Sequence, residues 1–193
     1  MKLFFFIFII IAIFNGHSTY AYDGNDVEYF LKNSKCNECD LSSYNFENSY
    51  LDQAIITNSN LKNTNFNNAK MANSKIINSD FTNSTFIKAD MPTAMIENSV
   101  FSNVNFEEVN LTSSTIENSN FVKANFNFGK MYGVIIKSSV LDEAIMTNAN
   151  IQKSILSSSS FIKTDFKKSL LSLSLMDSTN LSHSDLSRTK ARG

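Results

Sequence analysis

Residues 81–106 read FTNSTFIKADMPTAMIENSVFSNVNF, and every fifth position of this stretch, starting at Phe81, carries Phe, Met or Ile. The spacing continues in both directions from Leu41 to Leu186, and all thirty residues in this register are Leu, Ile, Met or Phe. Neither an α-helix nor a flat strand has a period of five. The sequence therefore predicts a coiled repeat with one large buried side chain per five residues.

A second register lies two residues before each large apolar centre. From Ser49 to Ser184 every member is Ala, Ser, Thr, Val or Gly, and only Tyr44 at the start is larger. The other three positions of each five are mostly Asn, Asp, Lys, Ser or Thr. We therefore expect one large and one small side chain per repeat to face inward, and the rest to face water.

This pattern resembles that of the pentapeptide-repeat family, as residues 54–58 (AIITN) and 89–93 (ADMPT) show. The resemblance covers about residues 36–188 without interruption. It implies an all-β fold, namely a right-handed quadrilateral β-helix with one pentapeptide on each side.

Residues twenty positions apart are also alike, which independently favours four sides per coil. One column is Phe46, Phe66, Phe86, Phe106, Phe126, Met146, Phe166 and Leu186, and another is Ile56, Ile76, Ile96, Ile116, Ile136, Leu156 and Met176. A column of small residues is Ser59, Ser79, Ser99, Ser119, Ser139, Ser159 and Thr179. We expect roughly seven and a half coils that stack like on like, in a rod ~36 Å long.

Residues 1–21 have the order of a secretory signal peptide. Lys2 precedes twelve apolar residues from Leu3 to Phe14, and residues 19–21 supply the small side chains before a cleavage site after Ala21. A membrane anchor is the alternative, but twelve helical residues span only ~18 Å of a hydrocarbon core of ~30 Å. We expect an exported protein, in the bacterial periplasm or outside the cell, with no stable membrane span after cleavage.

Two short segments flank the repeats. In residues 22–35, Asn25 and Glu28 have the spacing of a capping box, which predicts a helix over about 25–33 that covers the first coil. Val27, Phe30 and Leu31 would form its apolar face. Residues 189–193 are too short for a second capping helix and are expected to form a disordered tail.

Cys36 and Cys39 fall on the two inward registers, just before the first repeats. A Cys-x-x-Cys segment at this place resembles that of exported family members, and an oxidising compartment favours a structural disulfide. Two buried thiols, or a redox or zinc site, are the alternatives. Thioredoxin-like chemistry needs a βαβ context, and zinc needs two more ligands where the chain after Ala21 offers only His183.

Several outward positions carry apolar residues. The predicted surface comprises Ile55, Met95, Ile135, Ile155 and Leu175 in one outward column, with Leu170 and Leu173 near the C-terminus. An aligned apolar column is typical of a contact surface, for an unidentified protein partner or for self-association through the C-terminal coil. Solvated residues without a role are the alternative.

The composition is poor in catalytic groups. The chain has 17 Lys and Arg against 18 Asp and Glu, with a net charge of −1, which argues against a broad surface for nucleic acid. No catalytic residue, cofactor site or metal site is predicted, because His183 stands alone after Ala21 and no carboxylate column runs along a face.

We therefore expect a non-enzymatic, exported scaffold or protein-interaction module. The alternative is a topoisomerase (gyrase)-protecting DNA mimic, because the family that the sequence resembles includes proteins with this activity. Relatives of that kind end in a dimerising helix, carry an acidic face and act in the cytoplasm. This sequence departs from them on all three points.

Overall fold

The computed structural model describes residues 22–192, so the predicted signal peptide over residues 1–21 lies outside the described part. The first element is helix α1 (Gly24–Asn33). Six short strands follow: β1 (Lys35–Asn37), β2 (Ile55–Thr57), β3 (Lys75–Ile77), β4 (Met95–Glu97), β5 (Thr115–Glu117) and β6 (Ile135–Lys137). Within the described residues, no helix is both long enough and apolar enough to cross a bilayer.

The strands form one parallel sheet in the order β1-β2-β3-β4-β5-β6, and each residue pairs with the residue twenty positions later. The first turn has four such pairing points: Lys35 with Ile55, Asp40 with Asn60, Asn45 with Asn65, and Tyr50 with Lys70. The fold is thus a parallel β-solenoid with four pairing points per turn. The strands mark five successive turns, and single bridges continue the winding to Lys190.

The interior is filled by the large apolar centres that the period of five predicts. The Phe column stacks coil on coil: the rings of Phe66 and Phe86 lie 4.7 Å apart at 13°, and those of Phe106 and Phe126 lie 4.8 Å apart at 2°. All four rings are fully buried. The predicted twenty-residue columns are confirmed up to the last coil, and burial of these centres supplies the main driving force for folding. In the last coil Met176 and Leu181 are only partly buried and Leu186 is exposed, which differs from the expectation that every centre is inward.

The chain turns at the second residue after each centre, where φ is positive throughout the repeats. At Asn68 φ is 57°, and the turn closes where the N–H of Ala69 donates to the carbonyl oxygen of Phe66 at 3.0 Å. Asn adopts this left-handed conformation more readily than most residues, which accounts for its frequency in this register.

The predicted column of serines forms a ladder of hydrogen bonds. The N–H of Ser79 donates to Oγ of Ser99 at 3.1 Å, and the hydroxyl of Ser99 donates to the carbonyl oxygen of Glu97 at 2.8 Å. The N–H bond recurs from Ser59 to Ser139, and the hydroxyl bond recurs from Ser59 to Ser159. These bonds pair buried donors of the column between successive coils, as burial requires.

Helix α1 covers the first coil, as predicted, but its start and its face differ from expectation. Asp23, and not Asn25, is the N-cap, because its carboxylate accepts from the N–H of Asn25 at 2.8 Å and the helix begins at Gly24. Phe30 is fully buried against the ring of Phe46, with centroids 5.5 Å apart. Leu31 is exposed, because it lies about 100° around the helix from Phe30.

The coil also continues further than the predicted end at residue 188. Lys190 pairs with Leu170, and the N–H of Leu173 donates to the carbonyl oxygen of Arg192 at 2.9 Å. The expectation of a disordered tail is therefore wrong for residues 189–192. These residues have backbone partners in the preceding coil, which fix them as part of the solenoid.

Candidate interaction surface

The predicted apolar column lies on the side of the rod whose inward residues are Ile56, Ile76, Ile96, Ile116 and Ile136, called here the isoleucine side. Strand pairing and bridges place its outward residues one above another: Lys35, Ile55, Lys75, Met95, Thr115, Ile135, Ile155 and Leu175. Lys75 and Thr115 interrupt the lower part of the column, which is the part nearer the N-terminus. Ile135, Ile155 and Leu175 form an unbroken run in the upper part, nearer the C-terminus. Leu175 is 55% exposed, whereas Ile135 and Ile155 are partly buried.

Leu170 and Leu173 belong to a neighbouring side. Leu170 pairs with Asn150 and Lys190 on the side whose inward residues include Met71, Met91 and Met131, called here the methionine side. Leu173 has φ of 64° and therefore lies at the corner between this side and the isoleucine side, where it is 59% exposed. The structure thus divides the predicted surface between two sides of the rod.

Two exposed aromatic residues were not singled out from the sequence. Phe128 occupies a corner position with φ of 57° and is 52% exposed, and Tyr132 lies further along the methionine side. Nζ of Lys153 lies 5.4 Å from the centroid of the Tyr132 ring. The sequence does contain a sign of Phe128, because it places a bulky ring in the corner register that other coils fill mostly with Asn, Lys or Ser.

Surface charges in the described residues pair mostly between successive coils. Nζ of Lys62 lies 3.1 Å from the carboxylate of Asp80, and Nζ of Lys167 bridges Asp165 at 3.4 Å and Asp185 at 3.2 Å. These pairs are exposed, so each contributes at most ~1 kcal/mol. They align the coils and do not form a reactive site.

The pKa of three carboxyl groups is lowered by such contacts. Partial burial would raise the pKa of Asp80, but hydrogen bonds from Thr82 and the charge of Lys62 hold it below its ordinary value. Asp90 behaves in the same way, with Asn110 and Lys70 opposing partial burial, so its pKa is also lowered.

At Asp185, hydrogen bonds from the hydroxyl and N–H of Ser187, together with Lys167, lower the pKa to about 2. All three carboxyl groups are thus kept charged by neighbours along the coil or in the adjoining coil. A general acid would need the opposite shift.

Two polar residues, His183 and Asp142, illustrate the outward chemistry of the described coils. His183 is exposed, and Asp142 accepts hydrogen bonds from the hydroxyl of Ser160 at 2.6 Å and the N–H of Ile162 at 2.9 Å. Among residues 22–192, no group of three or more His, Cys, Asp or Glu is arranged to hold a metal ion. The carboxylate of Asp142 is used to join two coils.

Cys36 and Cys39 are buried on the two inward registers, with Cα atoms 5.8 Å apart and Sγ atoms at bonding distance. The N–H of Cys39 donates to Oγ of Ser59 at 3.0 Å, which places it in the serine ladder. An open groove of about 450 Å³ lies beside the pair, lined by Asp26, Tyr29, Lys35, Cys36, Asn37, Cys39, Ile55 and Thr57. The geometry suits the predicted disulfide between β1 and the first repeat.

Solved structures align with this chain. A trypsin-treated variant of QnrB1, described as a plasmid-mediated fluoroquinolone resistance protein, aligns with a TM-score of 0.61 and 18% identity, over 81% of this chain and 79% of that one. HetL, a pentapeptide-repeat protein involved in heterocyst differentiation regulation from Nostoc sp. strain PCC 7120, aligns with a TM-score of 0.31 and 14% identity. The alignment covers 86% of this chain and 94% of HetL.

No curated protein matches the sequence significantly. The sequence profile of pentapeptide repeats, in contrast, matches eight copies over residues 34–73, 64–103, 94–127 and 154–193. These matches cover more than half of the chain and coincide with the stacked coils. The chain therefore belongs to the pentapeptide-repeat family.

Proposed function

We propose that the protein is an exported, non-catalytic scaffold that acts as a protein-interaction module by pairing with a second copy through its isoleucine side. The filled interior supports a scaffold, because large apolar side chains occupy the inside of the described coils and are almost all buried there. The outward surface is then the part of the molecule that meets a partner.

The observation that carries the proposal is the unbroken run of Ile135, Ile155 and Leu175. These residues are stacked on a flat, parallel-paired side at the spacing of neighbouring strands. Apolar residues aligned on one side, coil after coil, favour a protein contact over solvent.

Charge around this run favours a second copy. Lys137 and Asp177 are both exposed and follow Ile136 and Met176, which are equivalent inward centres two coils apart. In a two-fold contact centred at Ile155, the coil of Lys137 in one copy lies opposite the coil of Asp177 in the other. Both opposite charges and apolar residues would therefore match in an antiparallel pair.

The mass in solution, measured by light scattering, tests this pairing. We expect a dimer for the unmodified protein and a monomer for the double variant Ile155→Lys with Leu175→Lys. Tyr50→Lys is the matched control, because Tyr50 is 86% exposed in the lower coils and its replacement should leave the dimer intact. A monomeric unmodified protein at all concentrations would show that pairing is wrong.

Charge exchange provides an independent check. Lys137→Asp should weaken the dimer, and adding Asp177→Lys to the same chain should restore it. Export is tested separately by sequencing the N-terminus of the protein recovered from its native compartment, where cleavage after Ala21 is expected. A retained N-terminus would overturn export without affecting the pairing result.

The alternative role, protection of a topoisomerase by DNA mimicry, would need a long row of carboxylates to imitate phosphates. In the described coils, outward carboxylates stack at most in pairs, Glu97 with Glu117 and Asp165 with Asp185. Lys167 bridges the second pair. The QnrB1 alignment supports a shared fold alone, and a gyrase-binding assay with the purified protein should show no complex.

A further inference from the structure

We propose that the upper part of the methionine side docks onto the surface of an anionic phospholipid bilayer. The surface consists of the outward residues of this side and its two corners, from Phe128 to Arg192, and is called here the basic surface. Its cations are Lys130, Lys153, Lys168, Arg188, Lys190 and Arg192, and its apolar residues are Phe128, Tyr132, Leu170 and Leu173.

Backbone pairing brings these residues together from distant parts of the sequence. Lys130, Asn150, Leu170 and Lys190 pair in succession along the middle of the side. The corner columns are linked in the same way, because the N–H of Lys153 donates to Ser172 O at 3.1 Å and the N–H of Lys168 to Ser187 O at 3.1 Å. No outward position of this surface carries Asp or Glu.

The lower coils of the same side show the contrasting arrangement. There Nζ of Lys70 lies 3.1 Å from Asp90, and Nζ of Lys88 lies 3.7 Å from Glu108 in the next coil. Among residues 22–192, none of the six cations of the basic surface takes part in an ion pair. Lys130 still lies near enough to Asp90 to help lower the pKa of that carboxyl group. The other five cations have no carboxylate partner in these pairs.

Two of the four apolar residues of this surface lie where the fold itself disfavours them. Phe128 and Leu173 occupy the left-handed corner position, which strains bulky side chains, and both are more than half exposed. The residue stacked above Phe128 in the next coil is Asn148, which suits both the backbone and the solvent. Two unfavourable features at one position point to a role outside folding.

The combination matches an anionic membrane surface. Single aromatic and leucine side chains can enter the headgroup region while surrounding Lys and Arg approach the lipid phosphates. A surface cavity of about 440 Å³ is lined by Ser172, Thr189, Lys190, Ala191 and Arg192, and two of these side chains are cations that suit a phosphate group. The apolar residues are spread among charges, which suits a lipid interface better than a protein groove.

Vesicle co-sedimentation with the purified protein tests the proposal. We expect binding to phosphatidylcholine vesicles that contain phosphatidylglycerol, and none to vesicles of phosphatidylcholine alone. The triple variant Lys153→Gln, Lys168→Gln and Lys190→Gln should lose about 100-fold in partition coefficient. Lys32→Gln, Lys35→Gln and Lys75→Gln together have the same net charge and should bind like the unmodified protein.

A second variant separates lipid insertion from simple charge attraction. Phe128→Asn with Leu173→Asn should lose at least about tenfold in partition coefficient. Its thermal stability should be equal or higher, because Asn tolerates the corner conformation. A melting temperature at or above that of the unmodified protein shows that loss of binding does not arise from unfolding. The mass of the dimer is measured separately, so failure of the proposed pairing is distinguishable from failure of lipid binding.

Three outcomes would overturn the proposal. Equal binding to both kinds of vesicle would remove the role of charge, and equal loss in the two triple variants would show that only net charge matters. Unchanged binding of the Phe128 and Leu173 variant, with equal binding of the unmodified protein to soluble polyphosphate, would identify a polyanion as the ligand instead of a bilayer.

Discussion

Phe101 and Phe121 are twenty residues apart in the sequence, and their rings stack with centroids 4.8 Å apart and planes inclined by 3°. Both side chains are fully buried. The pair shows how one period of the sequence becomes one turn of the solenoid, since each coil buries its centres against the same kind of centre in the next. Stability is thereby distributed along the rod, as in other repeat proteins.

Phe101→Ala should lower the free energy of unfolding by about 3–5 kcal/mol, because it removes a buried ring and leaves a cavity between two stacked neighbours. Urea titration followed by circular dichroism measures this change. Tyr50→Ala is the control, since Tyr50 is exposed and should change stability little. Similar stabilities for the two variants would contradict the assignment of the Phe column as core.

Ser99→Ala and Ser74→Ala should have different effects although both serines are buried. Oγ of Ser99 accepts from the N–H of Ser79, so its removal leaves a buried donor unpaired and should cost about 1–3 kcal/mol. Oγ of Ser74 has no hydrogen-bond partner, and the neighbouring coils carry Ala54 and Ala94 at the same position.

Ser74→Ala should therefore be neutral or stabilising. Urea titration of both variants side by side gives the comparison. Equal destabilisation would show that the ladder of Ser79 and Ser99 contributes nothing specific, and a large loss in Ser74→Ala would indicate that its hydroxyl has a partner.

The protein recovered after export should contain a disulfide between Cys36 and Cys39. Alkylation of the denatured protein followed by mass spectrometry should label neither residue until a reductant is added, because denaturant exposes any buried thiol. Closing so short a loop should stabilise the fold by about 2 kcal/mol, which a comparison with Cys36→Ser plus Cys39→Ser would measure. Full alkylation of the exported protein without reductant would show that the pair is present as free thiols.

Ser187→Ala should raise the pKa of Asp185 from about 2 part of the way toward its ordinary value of 3.8, because it removes the hydroxyl hydrogen bond, which is the leading contribution, and keeps the N–H bond at 2.9 Å and the contact with Lys167. The folded pKa lies below the unfolded one, so the charged carboxylate stabilises the fold above about pH 4 and loses this effect as the pH falls to about 2. Titration of the carboxyl carbon shift by NMR measures both values. An identical midpoint in the variant would assign the low pKa to the backbone N–H of residue 187 and to Lys167 instead.

Much of the fold could be predicted because burial restricts the inward registers strongly. Phe66, Phe86 and Phe106 repeat at twenty residues, and their rings stack in the structure at that spacing. Ser79 and Ser99 repeat for a second reason, since each must satisfy buried backbone groups of the coils beside it. Inward positions that require a particular side-chain size or a hydrogen bond therefore show a repeated residue type in the sequence.

The outward features were predicted less completely because solvent tolerates many side chains. The sequence pattern does not distinguish Asp23 from Asn25 as the residue that caps helix α1. The start of the helix depends on how α1 meets the first coil, where the N–H of Asp23 donates to the carbonyl oxygen of Asp40 at 2.9 Å. Leu31 likewise has the spacing of a buried residue but lies beside the opening that Phe30 fills.

The period of five and the period of twenty are properties of the sequence by itself, and they determine which side chains enter the core and which coils stack. Tertiary structure alone decides which charges find partners. The net charge of −1 does not show how the charges are arranged. On one side of the rod, Lys70 and Asp90 form an ion pair, whereas the cations of that side between Lys130 and Arg192 form none among the described residues. The physical reason is that ion pairing depends on the distance between side-chain ends across coils, which composition does not contain.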